Sequence, residues 1–303
     1  MTLSGPSIPI AMAAATDTRL LAIDELDLHL LSGHKFEGVA DSVGQLREAT
    51  YRQQLSGSGD EHDLDGRDAH YDHLLLVERK SGSLAGAARL QFIPAGSGEL
   101  PGGEGSYLEH VYPGIKAKLA AQQNHLEIGR VALAQRFQRQ PHSLMALFRG
   151  GILLAALSGY DLLHGLVSYN HFAQSDAVNT AFLTAMMRPP YRRQGVDLPV
   201  PRHPFTGITP DNNPHPSDNI QALEQEIRRN HSEDFRLPVL LRQYFNLMEA
   251  KVCDLSLARD FNQITEILMA ANLRDLPPER LALFIDLPHQ PLYQQFSWYR
   301  GKK

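Results

Sequence analysis

The sequence predicts an α/β domain: a mixed central sheet, helices on both of its faces, and an elaborated C-terminal end. Three observations carry this. Residues 125–133 (HLEIGRVAL) alternate as a strand does and lead through a short loop into a four-turn apolar helix over 141–158, closed by Gly159. Residues 73–78 (HLLLVE) and 84–93 alternate on either side of Lys80-Ser81-Gly82-Ser83, a hairpin composition. Residues 162–167 form a short apolar run, as a buried strand would, so strands and helices interleave along the chain.

The remaining elements fall between these. Residues 34–43 read as a first strand and 44–55 as a helix. An acidic loop over 56–70 holds Asp60, Glu61, Asp63, Asp65 and Asp68. The Gly- and Pro-rich segment 94–105 reads as a loop or lid, and 107–121 as a helix. After Arg188, eight prolines between 189 and 216 punctuate an irregular connection. A polar helix over 219–230 follows, then Leu237-Pro238 opening an amphipathic helix to Met248, then one or two strands and a closing helix over 250–283. The expected division is an N-terminal tail (1–33), a domain (34–288, with a core over 34–188 and a C-terminal extension over 189–288), and a C-terminal tail (289–303).

Composition narrows the function. Of 303 residues, 43% are hydrophobic and 21% charged, an ordinary globular balance. A formal charge of -5 argues against nucleic acid as the main partner. The single cysteine, Cys253, cannot form an internal disulfide and sits in an apolar stretch. A buried structural thiol in a reducing compartment is expected, hence a cytoplasmic protein. The most apolar run, 144–157, is too short to span a bilayer and contains Arg149. No Lys or Arg precedes the Ala-rich start, so no secretory leader is expected. There is no H-E-x-x-H, no cysteine pair, no P-loop and no G-x-G-x-x-G, so neither a metal nor a bound cofactor is expected.

Several residues could carry chemistry. Glu127 and Arg130 lie three apart on the 125–133 strand. A flat strand would send them to opposite faces unless a bulge re-aims one. A carboxylate in a central strand is costly unless paired or working, so the alternatives are a catalytic base and a structural ion pair. Asp72 and Arg89 could meet across the hairpin, with Arg52 joining from the first helix. Arg136, Arg139 and His142 surround the start of the long helix, where cations and a helix N-terminus suit a phosphate or an acidic carrier protein. Arg188, Arg192 and Arg193 could add to that surface. Asn170-His171 with Asp176 spells N-H-x4-D, the dyad of glycerolipid acyltransferases. That would make an O-acyltransferase acting on a lysolipid.

Four stretches then follow one another in order: 47–52 (REATYR), 68–76 (DAHYDHLLL), 86–90 (GAARL) and 127–131 (EIGRV). Further matches are 166–170 (LVSYN), 237–244 (LPVLLRQY), 250–252 (AKV) and 260–269 (DFNQITEILM). This series resembles the bacterial N-acyltransferases of ornithine-lipid and glycine-lipid synthesis, the hemolysin-like GNAT proteins. Their core is similar to that of the acyl-homoserine-lactone and N-acyl amino acid synthases. The resemblance covers roughly 34–285 and implies a GNAT-like sheet. It further implies a long acyl or 3-hydroxyacyl chain moving from acyl carrier protein to the α-amine of an amino acid such as ornithine or glycine. The donor's acyl-phosphopantetheine would be a substrate, with coenzyme A as the other possible carrier. By the same likeness Glu127 is the candidate base and Arg130 acts beside it. Arg52, Asp72, Arg89 and Asn170 shape the substrate site; Arg136, Arg139 and His142 face the carrier. A catalytically idle acyl-binding or carrier-docking module is the reading from another class. Finally, 293–303 place four aromatics beside three cations, which suits weak peripheral contact with a membrane.

Overall fold

The computed structural model describes residues 18–97, 105–121, 123–259, 261–287 and 290–291. In chain order the main elements are β1 (Arg19–Ile23), β2 (Leu26–Leu31), α1 (Ala40–Gln53), β3 (Asp72–Glu78), β4 (Ser83–Ile93), α2 (Tyr107–Val111), α3 (Ile115–Ala120), β5 (His125–Leu133), α4 (Pro141–Ser158), β6 (Leu162–Tyr169), α5 (Asp176–Met186), α6 (Ile220–Asn230), α7 (Val239–Met248), β7 (Lys251–Ala258), β8 (Ile264–Asn272) and α8 (Pro278–Ile285). Eight strands form one mixed sheet in the order β1-β2-β3-β4-β5-β6-β8-β7. Neighbours run antiparallel except β5 and β6, which are parallel and joined by α4. The mixed α/β architecture expected from the sequence is the one observed.

Two faces of the sheet differ. On one, α4 packs over β2, β3, β4 and β5 and buries Leu28, Leu74, Leu90, Leu147 and Ile152 in the largest core cluster. Gly150 lets α4 come close: a Cβ there would lie 2.2 Å from Leu28 Cδ2. Pro141 opens this helix and Gly159 ends it in the left-handed region at φ 75°, as Pro at the start and Gly past the end should do. On the other face α1 packs over β4 and β5, with Val43 and Leu46 against Leu75, Val77 and Ala87. The segment 56–70, α2 and α3 lie on this second face.

Three sequence expectations change. Residues 34–43 are not a strand: Gly33–Val39 form a 3-10 helix that runs into α1. Phe36, Val39 and Val43 are buried at three- and four-residue spacing, which is a helical period. The first strands lie earlier, within the stretch read as a tail. In β2 the alternation Leu26, Leu28, Leu30 pairs with β3. The helix expected over 107–121 breaks at Pro113-Gly114, and Gly114 (φ 86°) caps α3. At the other end β7 and β8 add to β6, so residues 251–272 extend the same sheet. Cys253 is buried there, and burial pushes its thiol up to about 12, as an inert thiol requires. Among the described residues no helix is long and apolar enough to cross a membrane. The aromatic and basic stretch 293–303, residues 1–17 and most of the 94–105 loop lie outside the described residues.

Candidate active site

β5 and β6 pair over three residues only, His125–Glu127 against Leu162–His164, and then part. Gly165 marks the fork: a Cβ on it would lie 2.7 Å from the carbonyl oxygen of Ile128, so only glycine lets the strands meet there. Beyond the fork opens a cavity of about 630 Å³, within the usual range for small-molecule sites. It is lined from both sides of the sheet. Leu144 of α4 and Leu237, Pro238, Val239 and Leu240 at the start of α7 give it an apolar side. Arg89, Tyr107, Glu127, Arg130 and Glu266 give it a charged side.

A bulge, the condition under which Glu127 and Arg130 can share a face, is present. The β4–β5 register passes from Ala87↔Ala132 to Arg89↔Gly129, so Arg130 and Val131 oppose one residue of β4. Arg130 takes φ 51°, a left-handed conformation that costs a non-glycine residue about 1–2 kcal/mol. The kink turns its side chain onto the face that carries Glu127. Its guanidinium lies 5.0 Å from the Phe261 ring and 5.5 Å from the Tyr107 ring, a cation–π position against both.

The acidic loop folds back over this face and supplies counterions. Asp65 caps a 3-10 turn over Gly66–His70 in a capping box with Asp68. Asp68 accepts from Arg47 at 2.8 Å and from Arg89 at 3.1 Å; Asp65 lies 3.4 Å from Arg89 and 3.7 Å from Arg130; Asp63 lies 3.4 Å from Arg130. Arg47 and Arg89 are fully buried. Burial opposes the charge on Asp68, but Arg47 and Arg89 together outweigh it and hold the carboxyl down at about 2. At Asp63 burial outweighs Arg130 and pushes the carboxyl up. His73, stacked on Phe36 at 3.8 Å, is driven down to about 4 by burial and then by Arg47.

Glu127 is engaged on both oxygens. Oε1 accepts from the Tyr71 hydroxyl at 2.5 Å and the Leu108 amide at 3.1 Å; Oε2 accepts from the Ser106 hydroxyl at 2.5 Å. The Tyr107 amide in turn donates to the Tyr71 oxygen at 2.8 Å. Glu127 therefore fixes the backbone that starts α2. The Tyr107 hydroxyl donates to Glu266 of β8 at 2.7 Å.

Of the residues singled out from sequence, the structure brings Glu127, Arg130 and Arg89 together, and Asn170 and Arg139 line the same cavity. Others lie apart. Asp72 pairs in register with Leu90 rather than Arg89, so the expected cross-hairpin pair does not form. Its carboxyl is pushed up by half-burial, against a hydrogen bond from the Gly33 amide. Arg52 binds Glu48 one turn back on α1. Arg136 binds Glu78 at 2.8 Å, and His142 lies 3.4 Å from Glu25. His171 does not meet Asp176: its Nδ1 lies 2.9 Å from the Thr265 hydroxyl, and Asp176 starts α5. The dyad expected for an O-acyltransferase is thus absent. Sequence reading missed Arg47, Asp65, Asp68, Tyr107 and Glu266 as site residues. The acidic loop was visible as composition, but nothing local said it folds inward. Among the described residues only Asp24, Glu25 and His142 are spaced to share a cation, and they line no part of the cavity.

Residues 46–148 match the family model described as "Acetyltransferase (GNAT) domain", about a third of the chain. The matched span runs from α1 through the hairpin and β5 to the first turns of α4, so the sheet around the fork is GNAT-like. Solved structures overlap more of the chain at low identity. An N-acyl amino acid synthase, FeeM, from uncultured soil microbes is 10% identical, with 82% of this chain and 93% of that one covered and a TM-score of 0.44. TofI in an apo form is 13% identical, with 87% and 99% covered at 0.42. A CoA-dependent acyl-homoserine lactone synthase, BjaI, is 12% identical, with 86% and 90% covered at 0.42. At these TM-scores the overlaps decide neither fold nor activity. No curated protein matches the chain.

Proposed function

We propose that the protein is an N-acyltransferase that moves a long acyl chain from a thioester carrier to the α-amine of an amino acid such as ornithine or glycine, in the synthesis of an aminolipid. One observation carries this: the cavity at the β5–β6 fork is apolar on one side of the sheet and charged on the other. An acyl chain is accommodated by the first, an ionic acceptor by the second, and the thioester carbonyl lies between them at the fork. There β5 and β6 no longer pair, so their peptide N–H groups are available to a pantetheine arm or a developing oxyanion. Arg139 and Arg236, both exposed on the cavity lining, suit the phosphate of acyl carrier protein or of coenzyme A. Arg89, already shared between Asp65 and Asp68, is a fixed positive charge in the wall. Arg130, whose nearest carboxylate oxygens are 3.4 and 3.7 Å away, is the guanidinium better placed to take an acceptor carboxylate. The carboxylate expected as the base, Glu127, has three donors on it and holds Tyr107 in place. The reaction belongs in the cytoplasm, where acyl carriers are loaded, with weak contact to a membrane surface through 293–303.

The test is direct. The purified protein is incubated with acyl-loaded carrier protein and with acyl-CoA, each against a panel of amino acids and lysolipids, and products are read by mass spectrometry. An N-acyl amino acid is expected. An ester from a lysolipid, or no product from any pairing, overturns the reading.

A further inference from the structure

The charged side of the cavity carries opposite signs at two places, and the sheet sets the distance between them. Arg89 and Arg130 stand on β4 and β5. Glu266 stands on β8, opposite Ser168 of β6 and Ser256 of β7. Directly opposed residues of neighbouring strands project to the same face, and so do residues two apart. Leu166, Ser168 and Glu266 therefore share a face, and all three line the cavity. Leu166 and Ser168 form its floor between Arg130 and Glu266. Tyr107 spans the top: its ring faces Arg130 at 5.5 Å, and its hydroxyl donates to Glu266 Oε1 at 2.7 Å. The Ser256 hydroxyl lies 3.5 Å from Oε2, at the outer limit of a hydrogen bond. Glu266 is 3% exposed, and a carboxylate is costly at that depth unless charge or hydrogen bonds meet it.

We propose that Glu266 receives the acceptor's ammonium group and takes its proton, while Arg130 holds the acceptor's carboxylate, so that the cavity recognises a zwitterionic α-amino acid at both ends. This rests on the N-acyltransfer reading and names the residue that reading lacks. The contrast with Glu127 is chemical. Glu127 accepts from two hydroxyls and an amide that hold the start of α2, so moving it toward a substrate would disturb that backbone. The ammonium gives a proton to the Glu266 carboxylate, and the free amine attacks the thioester carbonyl. The C–N bond forms, the C–S bond breaks, and the thiolate leaves. The second proton lost by the nitrogen ends on the thiolate sulfur, and Glu266 returns its proton to solvent.

Glu266→Gln is isosteric and can still accept from Tyr107. It should lower kcat/KM for the amino acid roughly 10²–10⁴-fold at neutral pH, the contribution of a positioned base. Its residual activity should climb with pH as the amine deprotonates in solution, while the affinity for acyl-loaded carrier stays within about twofold. Tyr107→Phe should keep the wild-type shape of the pH profile, because the carboxylate remains. An amino-acid methyl ester, which has the ammonium but no carboxylate, should be a poor acceptor for the wild type. Arg130→Gln should abolish that discrimination. A Glu266→Gln enzyme with the wild-type rate and pH profile overturns the proposal and leaves N-acyltransfer standing. A wild type that makes no amide with any amine removes both. Should Glu266→Gln not fold, Glu266→Asp decides: a displaced carboxylate must lower kcat with the acid limb kept, and unchanged kcat and KM overturn the assignment.

Discussion

β3, β4 and β5 have two faces that were built by different means. Against α4 they bury leucines and alanines in one continuous core. Against α1, the 56–70 loop, α2 and α3, the same strands bury Arg89, His73, His125 and Glu127, with Arg47 and Asp68 beside Arg89 and His73. The first face is held by apolar area, which is indifferent to pH and tolerant of exchanges that keep volume. The second is held by charges whose partners come from far away in sequence: Arg47 and Asp68 are 21 residues apart, and Tyr71 and Glu127 are 56 apart. On the proposed reading this face holds an ionic substrate, and counterions keep its charges oriented when the site is empty.

The comparison breaks first at Arg89. Arg89→Ala would take from Asp65 and Asp68 the buried cation they share, leaving Asp68 with Arg47 alone, and removing one member of a buried pair costs about 3–5 kcal/mol. Leu147→Ala on the opposite face should cost about 2–5 kcal/mol through cavity formation. The two are separable by replacement. Leu147→Met should restore most of the loss on its face, whereas Arg89→Met should restore little. Urea titrations of the four variants measure this. An Arg89→Met protein as stable as the wild type would mean the network adds nothing that an apolar side chain cannot.

Glu127→Gln comes next. It leaves one oxygen to accept from three donors, so the 106–108 backbone should loosen and Tyr107 with it. We expect kcat to fall about 10–100-fold, because misplacement near the chemistry is costly, with the shape of the pH profile unchanged. Loss of the acid limb in this variant would make Glu127 the base.

Acid should also attack one face before the other. His73 and His125 are each held near 4 in the fold, by burial first, against 6.5 when free. A depressed histidine contributes stability that is complete above pH 6.5 and is lost as pH falls toward 4. The slope is about 1.4 kcal/mol per pH unit for each such proton. Asp68 behaves as a depressed carboxyl: its contribution is present above its free value of 3.8 and goes only as pH approaches 2. Unfolding free energy should therefore drop between pH 6.5 and 4 through the histidines, before the Asp68 pair is challenged. His73→Gln should flatten part of that drop in urea titrations run across pH. A variant with the wild-type slope would place the titration elsewhere.

What could be read from sequence divides along the same line. The α4 side was legible to the residue: strand 125–133, helix 141–158 and the Gly159 stop are the observed bounds, because periodicity, Pro at the start and Gly at the end are local signals. The bulge at Arg130 was legible only as a condition: Glu127 and Arg130 share a face if one is present. The counterions were not. Asp72 was the expected partner of Arg89 because it opens the paired strand, yet register sets it against Leu90 while Asp65 and Asp68 arrive from the loop. Arg47 and Arg52 lie on one helix, and only the roll of α1 on the sheet decides which is buried. Glu266 sits 139 residues beyond Glu127 in an extension whose place beside β6 no local pattern specifies.

That roll of α1 yields the smallest expected effect, and a sharp one. Arg52 projects with its side chain 60% exposed and binds Glu48, whose own side chain is 3% exposed. Glu48 also accepts from the Ser58 amide and hydroxyl and from the Gly59 amide, so it stays satisfied without Arg52. Burial pushes the Glu48 carboxyl up, but these bonds and Arg52 together leave it below the usual range. An exposed i,i+4 pair contributes about 0.3–0.5 kcal/mol. Arg52→Ala should therefore change the unfolding free energy by no more than about 0.5 kcal/mol and leave kcat and KM unaltered, since Arg52 does not line the cavity. Arg47→Ala, five residues earlier, removes one of the two buried guanidiniums on Asp68 and should cost several-fold more. Urea titration and steady-state kinetics of the two variants side by side check the contrast. Equal losses at both positions would mean that charge on α1 acts irrespective of burial, and the distinction between an exposed charge and a walled one would fall.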